Sequence, residues 1–148
     1  MDKKSILIIN GPNLNMLGSR EPNIYGNMTL DEINKKIIDY AQKRDVVLEF
    51  FQSNIEGEII NQIQKSMEFY NGVIINAGAY SHTSIAIRDA IASIDVPVVE
   101  VHISNIFKRE KFRYHSFLTP VCAGSIVGFG YLGYILALEY FFLSSYMH

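Results

Sequence analysis

The feature that most limits what this chain can become is a repeated alternation of short apolar runs with amphipathic helical stretches. Strands are expected at Ser5–Ile9, Val46–Gln52, Val73–Asn76 and Pro97–Val101, with a short fifth near Val121–Ala123. The first, third and fourth are near-continuous in apolar residues, which suits strands covered on both faces of a parallel sheet. Helical patterns fall between them. Thr29-Leu30-Asp31-Glu32 has the form of a capping box, after which Leu30, Ile33, Ile37 and Ala41 keep one face apolar. Ser53-Asn54-Ile55-Glu56 has the same form ahead of Ile59, Ile60, Ile63 and Met67. A third helix is expected over about Ser84 to Ser93, and a last from about Tyr131 to Leu143. This order predicts an α/β chain of one domain, residues 1–148, built as a flavodoxin-like doubly wound five-stranded parallel sheet with helices on both faces.

Bulk properties remove several function classes. A chain of 148 residues with 49% hydrophobic and 19% charged content can build one ordinary globular core. A net charge of −2 carries no basic footprint, so nucleic acid is not an expected partner. The single cysteine, Cys122, excludes an internal disulfide and fits a reducing, cytoplasmic setting. Its run Val121-Cys122-Ala123 points to packing rather than reactivity. Lys3 and Lys4 precede Ile6–Ile9 in the manner of a signal peptide. That apolar run is far too short, however, and ends in Asn10-Gly11-Pro12, so it reads as a strand. Ser116 to Leu138 carries no charge and could cross a bilayer on length alone. Pro120 and four glycines (Gly124, Gly128, Gly130, Gly133) break it, and no basic flank orients it. It reads as a buried strand followed by an apolar helix packed on a partner, with no membrane role.

In a doubly wound sheet, ligands bind beyond the carboxyl ends of the strands where the connection order reverses. The stretch Asn10 to Gly26 after the first strand is roughly three times the usual length of such a connection, and long loops in compact domains are usually functional. It is rich in Asn and carries Arg20 and Tyr25. Neither phosphate-loop glycine pattern is present. After the third strand, Asn76-Ala77-Gly78-Ala79-Tyr80-Ser81-His82-Thr83-Ser84 leads into a helix with residues small enough for a ligand to approach the backbone. After the fourth, alternation puts Glu100 and His102 on one side, where a carboxylate could orient an imidazole acid. Arg113 follows on a later loop.

The histidines at 82, 102, 115 and 148 lack zinc spacing, so no metal is expected. No G-x-S-x-G elbow is present, and Ser81 beside His82 is not a nucleophile–base geometry.

These strand-end segments resemble the type II 3-dehydroquinate dehydratases over essentially the whole chain. The most specific match is Gly11-Pro12-Asn13-Leu14-Asn15-Met16-Leu17-Gly18-Ser19-Arg20-Glu21-Pro22 with Tyr25-Gly26. Gln52-Ser53-Asn54, Glu56-Gly57, Asn76 to Tyr80 with His82-Thr83, and Arg88-Asp89-Ala90 follow in register. Glu100 to Asn105, Arg109-Glu110 and Phe112-Arg113 complete the set. The chain departs from the pattern at Ile55, where His is frequent, and at Lys111, where Pro is common.

The resemblance implies a single catalytic domain that converts 3-dehydroquinate to 3-dehydroshikimate in the shikimate pathway of aromatic biosynthesis, with no cofactor. The proton removed lies α to a ketone, and the β-hydroxyl departs through an enolate, so a base, an enolate stabiliser and an acid are needed. Tyr25 is the implied base. A free phenol titrates near ~10, so a cation must favour its anion, and Arg20 is the family's match for that role, with Arg113 as a second source of charge. His102, oriented by Glu100, is the implied acid, and Asn13 would hold a water at the enolate oxygen. Asn76, Ile103 and Ser104 match a carboxylate cradle, while His82 and Arg113 match residues that hold ring hydroxyls. Asp89 would reach a neighbouring subunit's site in a homododecamer built as a tetramer of trimers.

Two other readings compete. A lysine Schiff base could perform the same conversion, yet no lysine sits at an apolar strand end where burial would lower its pKa. The fold also serves receiver and flavin-binding modules. Asn10 and Asn76 stand where a receiver needs acidic residues, which leaves a flavin or small-molecule binding module as the alternative.

Overall fold

A computed structural model describes residues 3–19 and 21–144. Strands β1 (Lys4–Asn10), β2 (Val46–Gln52), β3 (Gly72–Asn76), β4 (Val98–His102) and β5 (Gly124–Val127) form one parallel sheet in the order β2-β1-β3-β4-β5. This is the flavodoxin-like order, with its reversal between β1 and β3. The helices are α1 (Pro22–Tyr25), α2 (Leu30–Ala41), α3 (Glu56–Phe69), α4 (Ile85–Ala92) and α5 (Leu132–Ser144).

Alternation along the central strands divides the core in two. Ile6 and Ile8 of β1 face Ile33 and Ile37 of α2 and Tyr134 and Leu138 of α5. Leu7 and Ile9 face Ile59 and Ile63 of α3 and Ile87 and Ile91 of α4. Burying each such aliphatic side chain contributes about 1.5–3 kcal/mol. The continuous apolar character of β1, β3 and β4 is explained by this two-sided burial, whereas β2 lies at an edge and is only half covered.

The expected elements form, with three corrections. The Thr29 cap is present, its Oγ1 accepting the Glu32 N–H at 3.1 Å. The second capping box does not form. Ser53 stays bound to the strand end, its N–H donating to Asn10 O at 3.1 Å, and α3 starts only at Glu56 with Ile55 as N-cap. Ser53 Oγ instead accepts the Ile55 N–H at 2.9 Å and donates to Glu58 Oε2 at 2.5 Å. On that helix Met67 is exposed, and Ser66 takes the buried position, its hydroxyl bonded to Ile63 O.

The fifth strand is Gly124–Val127 rather than Val121–Ala123. Thr119–Val121 coils into a 3-10 turn around Pro120, which has no N–H for a ladder, and the pairing begins when Ala123 N–H meets Val98 O at 2.7 Å. β5 is half-buried at the sheet edge, not a buried strand. Burial, with a smaller effect from Glu100, pushes the Cys122 thiol up to about 12, as expected of a packed cysteine. No described helix is long and apolar enough to cross a membrane.

Candidate active site

The segment after β1 is not structureless. It contains a 3-10 turn at Leu14–Met16 and the single-turn helix α1, and it is braced by its neighbours. Asn13 adopts φ 69°, a left-handed conformation that Asn tolerates, and its N–H donates to Asn54 Oδ1 at 3.0 Å. Gln52 Nε2 donates to Gly11 O at 3.2 Å. A Cβ on Gly11 would lie 2.5 Å from Ala77 O, so only glycine lets the first and third strand ends approach this closely. The result is a cleft open to solvent at the strand ends. Its walls come from three strand ends: Asn13 and Tyr25 after β1, Asn76 and His82 at and after the end of β3, and His102, Ile103, Ser104, Arg109 and Arg113 at and after the end of β4.

His102 and Glu100 meet as their alternation predicted. Nε2 of the buried imidazole lies 2.8 Å from Oε2 of the fully buried Glu100. A carboxylate accepts, so Nε2 carries the proton, and Nδ1 is the nitrogen available to a ligand. Ser116 Oγ donates to Glu100 Oε2 at 2.6 Å, and Thr119 Oγ1 donates to Oε1. Burial alone would raise the Glu100 carboxyl. The hydrogen bonds from His102, Ser116 and Thr119, together with the imidazole charge, outweigh it and hold the group below its ordinary value.

The His82 ring stacks 6.0 Å from that of His102, at 22°. Its Nδ1 donates to His115 O at 2.8 Å, so in the neutral ring Nε2 is an acceptor. Burial lowers His82 below the ordinary histidine value, in spite of the His115 hydrogen bond, and favours that neutral form.

Tyr25, lining the same cleft, meets a cation to which the sequence analysis assigns no role. Arg109 Nη1 donates to the Tyr25 hydroxyl at 2.7 Å and to Ser104 Oγ at 3.2 Å, with the guanidinium carbon 5.2 Å from the phenol ring centre. The Arg109 side chain is 9% exposed, its nearest carboxylates are 3.9 Å away, and its Nε has no hydrogen-bond partner among the described residues. A buried cation so weakly neutralised favours an anion beside it. Arg20, the residue expected to act on Tyr25, lies outside the described residues. Arg113 lines the cleft and is held by Glu110 Oε2 at 2.6 Å.

Asn76 is fixed from both ends of its amide. Nδ2 donates to Tyr134 Oη at 3.0 Å, and Oδ1 accepts the Gly78 N–H at 3.1 Å. Tyr134, wholly buried on α5, donates in turn to Asn10 Oδ1 at 2.6 Å, bridging β1 and β3 where the connection order reverses. Asp89 does not line the cleft of its own chain. It sits exposed on α4, paired with Arg88 at 2.8 Å.

An open, doubly wound parallel sheet with this cleft at its strand ends defines an α/β enzyme of flavodoxin-like fold. Residues 4–142 match the family described as dehydroquinase class II, and the chain belongs to that family. It is 51% identical over 139 residues to a 3-dehydroquinate dehydratase of Acaryochloris marina, covering 94% of this chain and 93% of that one. Identity to a protein of the same name from Clostridium botulinum is 57% over 136 residues, covering 92% of each. The crystal structure of type II dehydroquinase from Butyrivibrio crossotus superposes with a TM-score of 0.91 at 49% identity, covering 93% of this chain and 96% of that one. The corresponding structure from Propionibacterium acnes gives 0.90 at 41% identity, covering 95% and 97%.

Proposed function

We propose that this protein is a 3-dehydroquinate dehydratase that eliminates water to give 3-dehydroshikimate, serving the shikimate pathway. The observation that carries this reading is that Tyr25, bonded to Arg109, and His102, backed by the buried Glu100, line one cleft.

The Tyr25 oxyanion, stabilised by the Arg109 guanidinium, takes the proton α to the ketone. The C–H electron pair moves into the enolate, whose oxygen is met by a water held by Asn13. Collapse of the enolate forms the C=C bond and expels the β-hydroxyl, and His102 Nδ1–H protonates it so that it leaves as water. The neutral imidazole that remains keeps its Nε2 proton on Glu100, the tautomer in which the structure holds it. The substrate carboxylate is received by Asn76, the Ile103 backbone, and the Ser104 backbone and hydroxyl. Ring hydroxyls are received by Arg113 and by the acceptor Nε2 of His82. Asp89, which does not line its own cleft, serves a neighbouring subunit in a homododecamer built as a tetramer of trimers. Lysine is absent from the residues lining the cleft, which supports elimination without a Schiff base.

The test is to add 3-dehydroquinate to purified protein and follow the ultraviolet absorbance of the conjugated enone. Growth of that absorbance without borohydride sensitivity is expected. No turnover would refute the dehydratase reading, and inactivation by borohydride only in the presence of substrate would replace it with a Schiff-base enzyme.

A further inference from the structure

One surface segment holds three parts of the cleft at once. Between residues 113 and 119, Arg113 enters the cleft, His115 O takes the Nδ1 proton of His82, and the hydroxyls of Ser116 and Thr119 close on Glu100. Glu100 Oε2 therefore receives His102 and Ser116, while Oε1 receives Thr119. Around this pair stand His82 at the stacked ring, Arg109 and Arg113 on the cleft wall, and Cys122 behind the carboxylate.

We infer that Ser116 and Thr119 are positioning residues for the acid step, and that their two hydroxyls fix the Glu100 carboxylate so that it can hold only the Nε2–H form of the neutral His102 ring. The inference rests on the dehydratase reading for its kinetic consequences but not for its structural content. A carboxylate with one oxygen undirected can rotate about its last torsion or take up a proton, and either change releases Nε2. Once the ring can carry its neutral proton on Nδ1 instead, that nitrogen already holds a hydrogen before proton delivery and Nε2 loses its acceptor. The ring is then no longer held through Nε2 while Nδ1 gives its proton to the departing oxygen, and that step slows. Thr119 is the cleaner of the two to test. It is exposed apart from this bond, whereas Ser116 Oγ also accepts the Leu118 N–H at 3.1 Å and shapes the turn.

The experiment compares wild type, Thr119→Val and Thr119→Ser by steady-state kinetics on 3-dehydroquinate and by ¹⁵N NMR of the histidine side chains. Thr119→Val should lower kcat by roughly 10- to 100-fold with KM nearly unchanged, below the ~10²–10⁴ worth of a whole general acid. The His102 resonances should gain Nδ1–H character, and Thr119→Ser should restore both. Wild-type kcat in Thr119→Val, or a loss of kcat with the Nε2–H signature intact, would overturn the inference. If wild type does not turn over this substrate, the dehydratase reading fails by itself. The tautomer spectra then decide the clamp: unchanged spectra refute it, and a shift toward Nδ1–H upholds it.

Discussion

Arg109 and Tyr25 stand 84 positions apart in the chain and meet through a 2.7 Å hydrogen bond from guanidinium to phenol oxygen. The same Nη1 also reaches Ser104 Oγ at 3.2 Å. Arg109→Ala should therefore reduce kcat by about 100-fold in a folded protein, because charge-assisted donation to the base is lost. Arg109→Lys should recover little, since a flexible ammonium does not reproduce the planar fork. Activity within a few-fold of wild type in either variant would move the charge-stabilising role elsewhere.

Acid should unfold this protein in part through Glu100. Its folded carboxyl lies below the ordinary value of 4.5, so the stabilisation is complete above that value and is lost as the pH falls through the folded one. Denaturant unfolding at a series of pH values should show wild type losing stability below about pH 4.5, with a shallower loss in Glu100→Gln. Parallel pH curves for the two proteins would contradict the assignment.

Tyr134 joins Asn10 and Asn76 across the two strands that flank the switch point. Tyr134→Phe removes the shared hydroxyl and leaves two buried amides short of a partner, a cost of about 1–3 kcal/mol. Calorimetry should show the lower Tm, and kinetics should show a raised KM with kcat less affected, because Asn76 is then less firmly aimed. An unchanged KM would make Tyr134 purely structural.

Gly11→Ala should be among the most damaging single-methyl additions near the cleft, because the new Cβ would sit 2.5 Å from a backbone carbonyl that cannot turn aside. Gly57→Ala is the control, since nothing lies within 4 Å of its added carbon. Thermal unfolding should separate them clearly, and equal melting temperatures would show that the Gly11–Ala77 approach is not a close constraint.

Much of this was legible in the chain because periodicity reports burial directly. Residues buried on both faces wrote β1, β3 and β4 as apolar runs, and the two-residue period placed Glu100 beside His102. Boundaries failed where local chemistry is ambiguous. Ser53 fits a capping box as well as a strand end, and only its bond to Asn10 decides between them. Arg109 belongs to a matched motif, but its role was hidden because it stands in Lys108-Arg109-Glu110-Lys111, a run that reads as a solvated loop. Tyr134 was hidden for the opposite reason, as one more apolar residue in an uncharged tail. In both cases the partner is distant in sequence, which no local pattern reports.

The most direct measurement of the central claim is the ultraviolet enone assay applied to wild type and Tyr25→Phe side by side, with circular dichroism to confirm that both are folded. The account predicts an active wild type and a Tyr25→Phe variant slowed by roughly 10²–10⁴-fold, with substrate binding retained. A folded Tyr25→Phe protein that turns over at near wild-type rate would contradict it, leaving the cleft without its base.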